Sequence, residues 1–424
     1  MRLQDTLSGS LVELPPAPEP IGIYVCGPTV YQRAHIGNAR PFVVFTWLAR
    51  WLRERGHEVR LVHNITDVND KIYEAAPGRS AERALEATHW YLEDTGDFGL
   101  GMPDAQPLAT ETMPEIVGLI EELIASGHAY TADGDVYFRV ARFESYGALS
   151  GQRPDQVEDQ EPNPAKEDPR DFALWKATKE GEDTSWGSPW GRGRPGWHIE
   201  CSAMAAKELG PEFWIHGGGL DLVFPHHENE RAQSLSVGHP FARIWMHNGM
   251  LRFTGEKMSK SLGNVATIRE VLDAWGRETT LVFFMTAHWR KPIDFSEETM
   301  AAARAQTETL RNALRGESGG EGDWDAFVGA LEDDFNTPAA LAIMHDWAHA
   351  GALAELRRGL EVFGLGSLGE RREPPADVVA LADARSAARA AREFGEADRL
   401  RLEIEALGWD VRDAGDGYEL VPRA

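Results

Sequence analysis

Four residues of types that bind transition metals stand far apart in the sequence. Two thiols, one imidazole and one carboxylate make up the set: Cys26, Cys201, His226 and Glu230. Zinc takes this mixture of ligands, and the soft sulfur atoms favour it over magnesium or calcium. Ligands that lie so far apart in the sequence indicate a zinc site less strongly than a Cys-x-x-Cys pair does. His198 and His227 are equally available as ligands, and either could instead be a hydrogen-bonded core histidine.

A second group of residues could bind phosphate. His35 and Asn38 lie one helical turn apart at a predicted helix amino terminus, where unpaired N–H groups attract anions. Lys257 and Lys260 could neutralise charge that develops on a leaving pyrophosphate. Each motif alone also has an ordinary interpretation, because His-x-Gly-x is nearly uninformative and Lys-Met-Ser-Lys-Ser is more often a solvated loop.

The elements that must position these residues form a βαβ unit. An apolar, β-branched run predicts a strand over Ile21–Val25, and apolar residues at helical spacing predict a helix from Arg40 to Trp51. A second strand is predicted over Val59–His63. Cys26 and a polar run from residue 64 to residue 70 then follow the two strand ends. Open α/β sheets bind ligands at this edge.

A third predicted strand, Phe213–His216, opens into the glycine-rich segment Gly217–Asp221. Its glycines could let the backbone approach a ligand closely, or could form a tight turn that binds nothing. A helix is predicted to begin at the following proline and to run toward Leu235. On such a helix His226 and Glu230 are four residues apart and share a face.

Composition limits the class of protein. A chain of 424 residues predicts two to four domains. No apolar run approaches the roughly 18 residues that a membrane span needs, and the first residues lack an apolar signal core, so we expect a cytoplasmic protein without a membrane partner. Two cysteines suit a reducing compartment, and they could be no more than buried small hydrophobic residues. The net charge of −25 argues only weakly against a nucleic-acid partner, because a local basic stripe can coexist with it.

The other regions are mostly helical. A helical pattern covers residues 80–130, a strand is predicted over Asp135–Val140, and residues 152–170 are predicted to form a surface loop. After Ser296 the chain is rich in Ala, Leu, Arg and Glu, and one long helix is predicted over Asp383–Leu407. Two candidate strands, near Trp409 and Tyr418, follow it.

The last predicted helix carries five arginines: Arg385, Arg389, Arg392, Arg399 and Arg401. Together with Trp409 they could form a basic face with a stacking residue, as in proteins that bind single-stranded nucleic acid. Acidic residues interleave with them, so an ordinary helix laced with salt bridges is the alternative.

Two motifs, His35-Ile-Gly-Asn38 and Lys257-Met-Ser-Lys-Ser261, resemble the two signatures of class I aminoacyl-tRNA synthetases in type and order. Further segments resemble the cysteine-specific family of these enzymes: Cys26–Tyr31, Asn64–Asp67, Phe172–Lys176, Gly196–Ser202, Phe224–Glu230 and Glu256–Asn264. The resemblance covers nearly the whole chain. It implies an α/β fold, with a class I Rossmann-like catalytic domain that carries an insertion, then an α-helical bundle and a small C-terminal α/β anticodon-binding module.

The implied catalytic domain spans residues 1–295, with its insertion at about 110–185 and its signature loop at 257–261. The implied bundle spans 296–366 and the anticodon-binding module 376–424. The implied reaction activates L-cysteine with ATP, and we expect Mg2+ to accompany the ATP. Cysteinyl-adenylate and pyrophosphate form, and cysteine then passes to the 3'-terminal ribose of tRNA(Cys). We expect a monomer.

By the same resemblance, Cys26, Cys201, His226 and Glu230 become the ligands of one Zn2+ per chain, which would bind the substrate thiolate directly. Serine has nearly the size of cysteine, and a pocket that relies on shape separates such analogues by only about 1–3 kcal/mol. A thiol loses its proton to zinc more readily than an alcohol does, and sulfur suits zinc better. Metal binding could therefore make a separate editing domain unnecessary.

The resemblance also assigns substrate contacts. The cysteine pocket would contain Gly27, Thr66, Trp197 and His227. ATP would contact Thr29, His35, Gly37, Asn38, Gly219, Asp221, Met258, Ser259 and Lys260. The catalytic residues would be His35, Asn38, Lys257 and Lys260. Asn38 replaces the second histidine of the class signature, so this position can donate a hydrogen bond but carries no charge.

Two other functions fit parts of the sequence. A cysteine ligase of the mycothiol type would share the active site and pass cysteine to an amino-sugar, but such ligases lack the terminal module. A non-catalytic RNA-binding or zinc-structural paralogue would show damaged nucleotide signatures, whereas His35, Lys257 and Lys260 are all present.

Overall fold

The computed structural model of the chain describes residues 1–153, 162–253, 266–370, 373–414 and 417–422. The predicted catalytic and ATP-binding residues of the second signature, Lys257, Met258, Ser259 and Lys260, lie outside the described residues. No helix in these ranges is both long enough and apolar enough to span a membrane.

The strands, in chain order, are β1 Arg2–Gln4, β2 Leu11–Glu13, β3 Ile21–Val25, β4 Val59–His63, β5 Ala129–Ala132, β6 Asp135–Phe138, β7 Phe172–Ala177, β8 Trp186–Ser188, β9 Gly191–Pro195, β10 Glu212–Gly219, β11 Phe241–Asn248, β12 Leu251–Phe253, β13 Ile293–Phe295, β14 Trp409–Ala414 and β15 Gly417–Pro422. The α-helices are α1 Ile36–Glu54, α2 Asp70–Ala75, α3 Ser80–Gly96, α4 Met113–Ala125, α5 Trp197–Leu209, α6 Glu228–Ser236, α7 Ile268–Trp275, α8 Arg277–Met285, α9 Glu297–Ala313, α10 Trp324–Glu332, α11 Thr337–Ala350, α12 Leu353–Val362, α13 Ala376–Ala390 and α14 Phe394–Ala406.

A four-stranded parallel sheet in the order β11-β10-β3-β4 organises the first half of the chain. Val25 lies opposite both His63 and Gly217, and Gly219 lies opposite Asn248. Because parallel strands end at the same edge, the residues that follow β3, β4, β10 and β11 meet there. The predicted βαβ unit is confirmed, with α1 beginning at Ile36, four residues before the predicted start.

The prediction that β10 ends at His216 is wrong, because the strand continues through Gly217 to Gly219. Gly217 pairs with Val25 and Met246 in the interior of the sheet. A Cβ atom at this position would collide with the ring of Phe45, a buried residue of α1. The glycine therefore lets helix α1 pack directly on the sheet, and it is not a turn residue.

An antiparallel sheet in the order β5-β6-β7-β9-β8 lies between α4 and α5 in sequence. The predicted strand at Asp135 is confirmed but ends at Phe138. The helical pattern over residues 80–130 corresponds to two helices, α3 and α4, joined by a segment with a short 3-10 turn at Ala109–Glu111.

The prediction of one long helix over Asp383–Leu407 is wrong. The chain forms two helices, α13 and α14, and Arg392 adopts a left-handed φ of 62° between them. The two helices pack against each other and against the hairpin β14-β15, with Ile404 and Trp409 buried in the shared core. The reversal lets both helices bury apolar side chains on the hairpin, which one straight helix of this length could not do.

Four of the five arginines predicted to form a basic face are engaged in ion pairs. Arg385 and Arg389 both contact Asp413, whereas Arg399 contacts Glu396 and Glu403. Arg401 pairs with Glu405. These contacts favour the helix laced with salt bridges over a free basic face.

We expect Gly217→Ala to lower the free energy of unfolding by about 1–3 kcal/mol, because the added methyl group overpacks the interface with Phe45. Gly118→Ala is the matched control, since Gly118 lies within α4 with open space around its Cα. Alanine favours a helix over glycine by about 1 kcal/mol, so the control should be neutral or stabilising. Urea unfolding of the two variants checks this, and equal midpoints would contradict it.

Candidate metal centre and nucleotide cleft

The four predicted metal ligands converge beside the carboxyl edge of the sheet. Cys26 directly follows β3, Cys201 lies on α5, His226 lies in the turn before α6, and Glu230 lies in the first turn of α6. Their ligand atoms all lie within 4.8 Å of one another. None of the four residues is more than 6% exposed. Separated in sequence by up to 204 positions, these side chains form one buried cluster.

Glu230 lies at the centre of this cluster. Its Oε1 is 3.1 Å from Nε2 of His226, and the thiol of Cys26 donates to the same oxygen over 3.3 Å. Nδ1 of His198 lies 3.0 Å from Nδ1 of His226 on the outer side of that ring. His198 therefore holds the imidazole from behind and leaves Nε2 directed toward the cluster, as outer partners of metal ligands do.

A second combination of residues also has its ligand atoms within 4.8 Å of one another. Cys26 and Glu230 also converge with His216 and His227. Nε2 of His216 is 3.5 Å from Sγ of Cys26 and 3.4 Å from Oε2 of Glu230. Two overlapping sets of donors therefore surround one point in the interior.

His227 differs from His226 in how its ring is held. Its Nδ1 lies 2.8 Å from Nε2 of His247, whose Nδ1 lies 2.7 Å from Oγ1 of Thr6. Its Nε2 is 3.9 Å from Glu230. This chain fixes the orientation of the His227 ring and leaves Nε2 without a hydrogen-bond partner in the part of the chain that the structure describes.

Burial sets the protonation of the cluster. It raises the pKa of the Cys26 thiol well above its usual value and also raises the pKa of Cys201. It lowers the pKa of His226 well below the usual histidine value, and that of His198 to about 3. Without a metal ion, the thiols of Cys26 and Cys201 are therefore protonated and the imidazoles of His198 and His226 are neutral. Neutral imidazoles, a carboxylate and thiols that release their protons on coordination fit a zinc ion.

An open cleft of about 290 Å³ adjoins the cluster. It is lined by residues from the β3–α1 loop, from the starts of α1 and α5, and from the ends of β10 and β11 with the segment after β10. Among these lining residues are Gly27, Thr29, His35, Gly37, Asn38, Trp197, Gly219 and Asp221. The structure thus brings together all the predicted ATP contacts that lie within the described residues. Of the predicted cysteine contacts, Gly27 and Trp197 line the cleft as well.

His35 precedes the first residue of α1, with backbone dihedral angles of an extended chain. The N–H of Asn38 donates to the carbonyl of His35 over 2.9 Å. Burial lowers the pKa of His35, opposed by the negative charge of Asp221, so the imidazole is neutral near pH 7. The helix amino terminus, the ring and the Asn38 amide together form a polar site suited to phosphate oxygens.

The predicted cysteine pocket joins the cleft to the cluster. The ring of Trp197 lies 4.3 Å from that of His226, between centroids. Thr66 is buried, and it exchanges backbone hydrogen bonds with Val30 and Pro28 in the loop that bears Cys26. Gly27 donates to Oδ1 of Asn64, and a Cβ atom at Gly27 would collide with the carbonyl of Asn64. His227, the fourth residue predicted for this pocket, is fully buried.

His216 and Asn248 are polar residues of the site that were not predicted. His216 pairs in register with Tyr24, so it faces the same side of the sheet as Cys26. Predicting its position would have required knowing that β10 neighbours β3. Asn248 ends β11 and lines the cleft. Both atoms of its buried amide lack a hydrogen-bond partner among the described residues. The only sequence signal was a polar residue at the end of an apolar run.

Comparisons with known proteins agree with this geometry. The family model described as the tRNA synthetases class I (C) catalytic domain matches residues 14–305, and that of the DALR domain matches residues 326–356. A protein from Halorhodospira halophila named cysteine–tRNA ligase is 43% identical, with 98% of both chains covered. A protein of the same name from Rubrobacter xylanophilus is 42% identical over the full length of both chains.

Solved structures show the same fold at low sequence identity. Methionyl-tRNA synthetase from Mycobacterium tuberculosis, in complex with methionyl-adenylate, aligns with a TM-score of 0.59 at 15% identity, covering 82% of this chain and 90% of that one. LeuRS from Agrobacterium radiobacter, in a ternary complex with tRNA and LeuAMS, aligns with a TM-score of 0.59 at 12% identity, covering 85% and 86%. These matches confirm the predicted α/β fold.

Metal analysis of purified variants distinguishes the two donor sets. We expect Cys201→Ser and His226→Gln to lose stoichiometric zinc, whereas His216→Gln retains it. His198→Ala should weaken zinc affinity about 10- to 100-fold, because His198 supports a ligand without being one. Zinc is measured by mass spectrometry after equilibration with a competing chelator. Zinc-free His216→Gln or His227→Gln beside a fully loaded Cys201→Ser would identify the other set.

Proposed function

This chain belongs to the cysteine–tRNA ligase family of class I tRNA synthetases, and on that premise we propose that it selects cysteine through a zinc ion held by Cys26, Cys201, His226 and Glu230. It is an ATP-dependent ligase. The observation that carries the metal proposal is the buried cluster of two thiols, an imidazole and a carboxylate beside the nucleotide cleft. Burying four such groups without a shared partner would be costly, and zinc supplies that partner.

In the first step, the carboxylate of cysteine attacks the α-phosphate of ATP, a P–O bond forms, and the bond to pyrophosphate breaks. His35 and Asn38 would donate hydrogen bonds to phosphate oxygens at the amino terminus of α1. Lys257 and Lys260 would neutralise the leaving pyrophosphate, with Mg2+ as the expected companion of ATP. The contribution of this machinery is positioning and charge stabilisation.

The chain's own residues would select the amino acid. Cys26 and Cys201 would hold the metal, which would supply the substrate thiolate with a binding position that a serine hydroxyl takes poorly. Trp197 and Thr66 would form the wall between this position and the phosphate site. His227, whose ring is fixed by His247, would close the pocket on its inner side.

In the second step, a ribose hydroxyl at the 3' end of tRNA(Cys) attacks the carbonyl carbon of the adenylate, and AMP leaves. We propose that the helical region and the C-terminal module bind this tRNA, the latter at the anticodon. Arginine contacts to RNA there would require the ion pairs of Arg389 and Arg399 to exchange for contacts with phosphate or base.

Transfer to an amino-sugar is not favoured. The relatives named cysteine–tRNA ligase match nearly the whole chain, C-terminal module included. The module itself has its own buried core of helices and a hairpin.

Cysteine-dependent exchange of pyrophosphate into ATP tests the metal proposal. We expect wild-type protein to lose exchange after chelation and to recover it with zinc, because the substrate thiolate then regains its partner. Wild-type protein should discriminate against serine by more than the roughly 10–200-fold that shape alone provides. Charging of a tRNA(Cys) transcript should show the same dependence on zinc.

The acceptor is tested in the same preparation. Exchange that persists in fully zinc-free protein would contradict the metal proposal. Transfer of labelled cysteine to an amino-sugar and not to tRNA would contradict the assignment of the acceptor and of the C-terminal module.

A further inference from the structure

The turn between α10 and α11 contains two consecutive residues in the left-handed backbone conformation, Asp334 with φ 60° and Phe335 with φ 50°. Neither is glycine, and both are buried. A bulky residue such as phenylalanine rarely adopts this conformation, so the surrounding contacts must stabilise it. The question is what these contacts hold in place.

Asp334 joins the helical region to a turn of the catalytic region, His288–Arg290. Its carboxylate forms an ion pair with Arg290, and Oδ2 lies 3.5 Å from Nε2 of His288. Its backbone carbonyl accepts a hydrogen bond from the indole of Trp289 over 2.8 Å. One residue thus contacts three successive side chains. On its other side, Oδ1 accepts a hydrogen bond from the N–H of Gln4.

The same turn supports the strand that leads into the second signature. The carbonyl of Trp289 accepts a hydrogen bond from Gly249 over 2.8 Å, and Ile293 donates to Met250 over 3.0 Å. Strand β12 then pairs in parallel with β13, which follows this turn. Leu251 and Phe253 of β12 line the nucleotide cleft, so the turn supports a strand that forms part of the cleft wall.

The turn also holds the helix of the first signature. Arg40, a residue of α1 that is 1% exposed, donates to the carbonyl of His288 over 3.0 Å and to that of Gly249. Arg40 lies five residues after His35, in the second turn of α1. The helix of the first signature and strand β12, which precedes the second signature in sequence, are therefore both anchored on one turn, and Asp334 fixes that turn.

We propose that Asp334 is a positioning residue for adenylate formation. Through Arg290 and Trp289 it sets the distance between the amino terminus of α1 and the strand that leads to Lys257. This inference rests on the proposed function, because it concerns the rate of the first step of that reaction. It gives the helical region a part in the chemistry that goes beyond binding tRNA.

The test is single-turnover formation of cysteinyl-adenylate with the full-length, zinc-loaded protein. The amplitude counts competent sites, and the rate reports how well they are arranged. We expect Asp334→Asn to lower the rate about 10- to 100-fold, the range in which a misplacement of about 1 Å falls, while amplitude and zinc content stay close to wild type. A role confined to stability would lower the amplitude and leave the rate unchanged.

Asp333→Asn is the matched control. The neighbouring carboxylate pairs with Arg2, and both side chains are more than half exposed, 61% and 55% respectively. Exposed pairs contribute little, so its rate should stay within about twofold of wild type. Arg290→Gln removes the same ion pair from the partly exposed side, and it keeps the test valid if Asp334→Asn folds poorly.

We expect Arg290→Gln to slow adenylate formation as well, and the double variant to be no slower than Asp334→Asn alone, since both substitutions remove one contact. An unchanged rate in Arg290→Gln, or a loss of amplitude alone in Asp334→Asn, would overturn the inference. Wild-type protein that forms no cysteinyl-adenylate would overturn the proposed function, and with it this inference. An active wild type with unaltered variants would overturn the inference alone.

Discussion

The burial of several metal-binding side chains at one point is the constraint on which the rest of the structure depends. Thiols, imidazoles and a carboxylate converge there within 4.8 Å. Removing each of these groups from water costs free energy unless the group finds a partner in the interior. Strand β3 must therefore deliver Cys26, and helices α5 and α6 must deliver Cys201 and Glu230, to the same place. A shared zinc ion would stabilise all of them together at this point.

The alternation of side chains along the parallel strands divides the site into two halves. Val25, Ile215 and Met246 face the core that contains α1, whereas Tyr24 and Trp245 belong to the core on the opposite face. Cys26 continues the second series and Gly217 the first. The candidate metal cluster thus lies on the α5–α6 face, and the candidate phosphate site lies at the amino terminus of α1 on the other. The cleft across the sheet edge joins them, so an amino acid and a nucleotide can meet there.

The structural features that depend on residues close together in the sequence were predicted correctly. The strands β3 and β4 follow from apolar runs, and the shared face of His226 and Glu230 follows from their four-residue spacing. The break at Arg392 escaped prediction because the left-handed residue is an arginine, while the nearby Gly395 lies inside α14, and because the break depends on packing against the terminal hairpin. His216 escaped because its place beside Cys26 depends on the strand order of the sheet. The contacts of Asp334 join segments more than 40 residues apart, which no local pattern records.

X-ray absorption at the zinc edge, with and without bound cysteine, would show directly whether the metal binds the substrate thiolate. We predict two sulfur ligands in the free enzyme, with nitrogen and oxygen completing the set, and a third sulfur after cysteine is added. Serine should leave the sulfur count at two. A sulfur count that does not change with cysteine would contradict selection by the metal, whatever the activity of the enzyme.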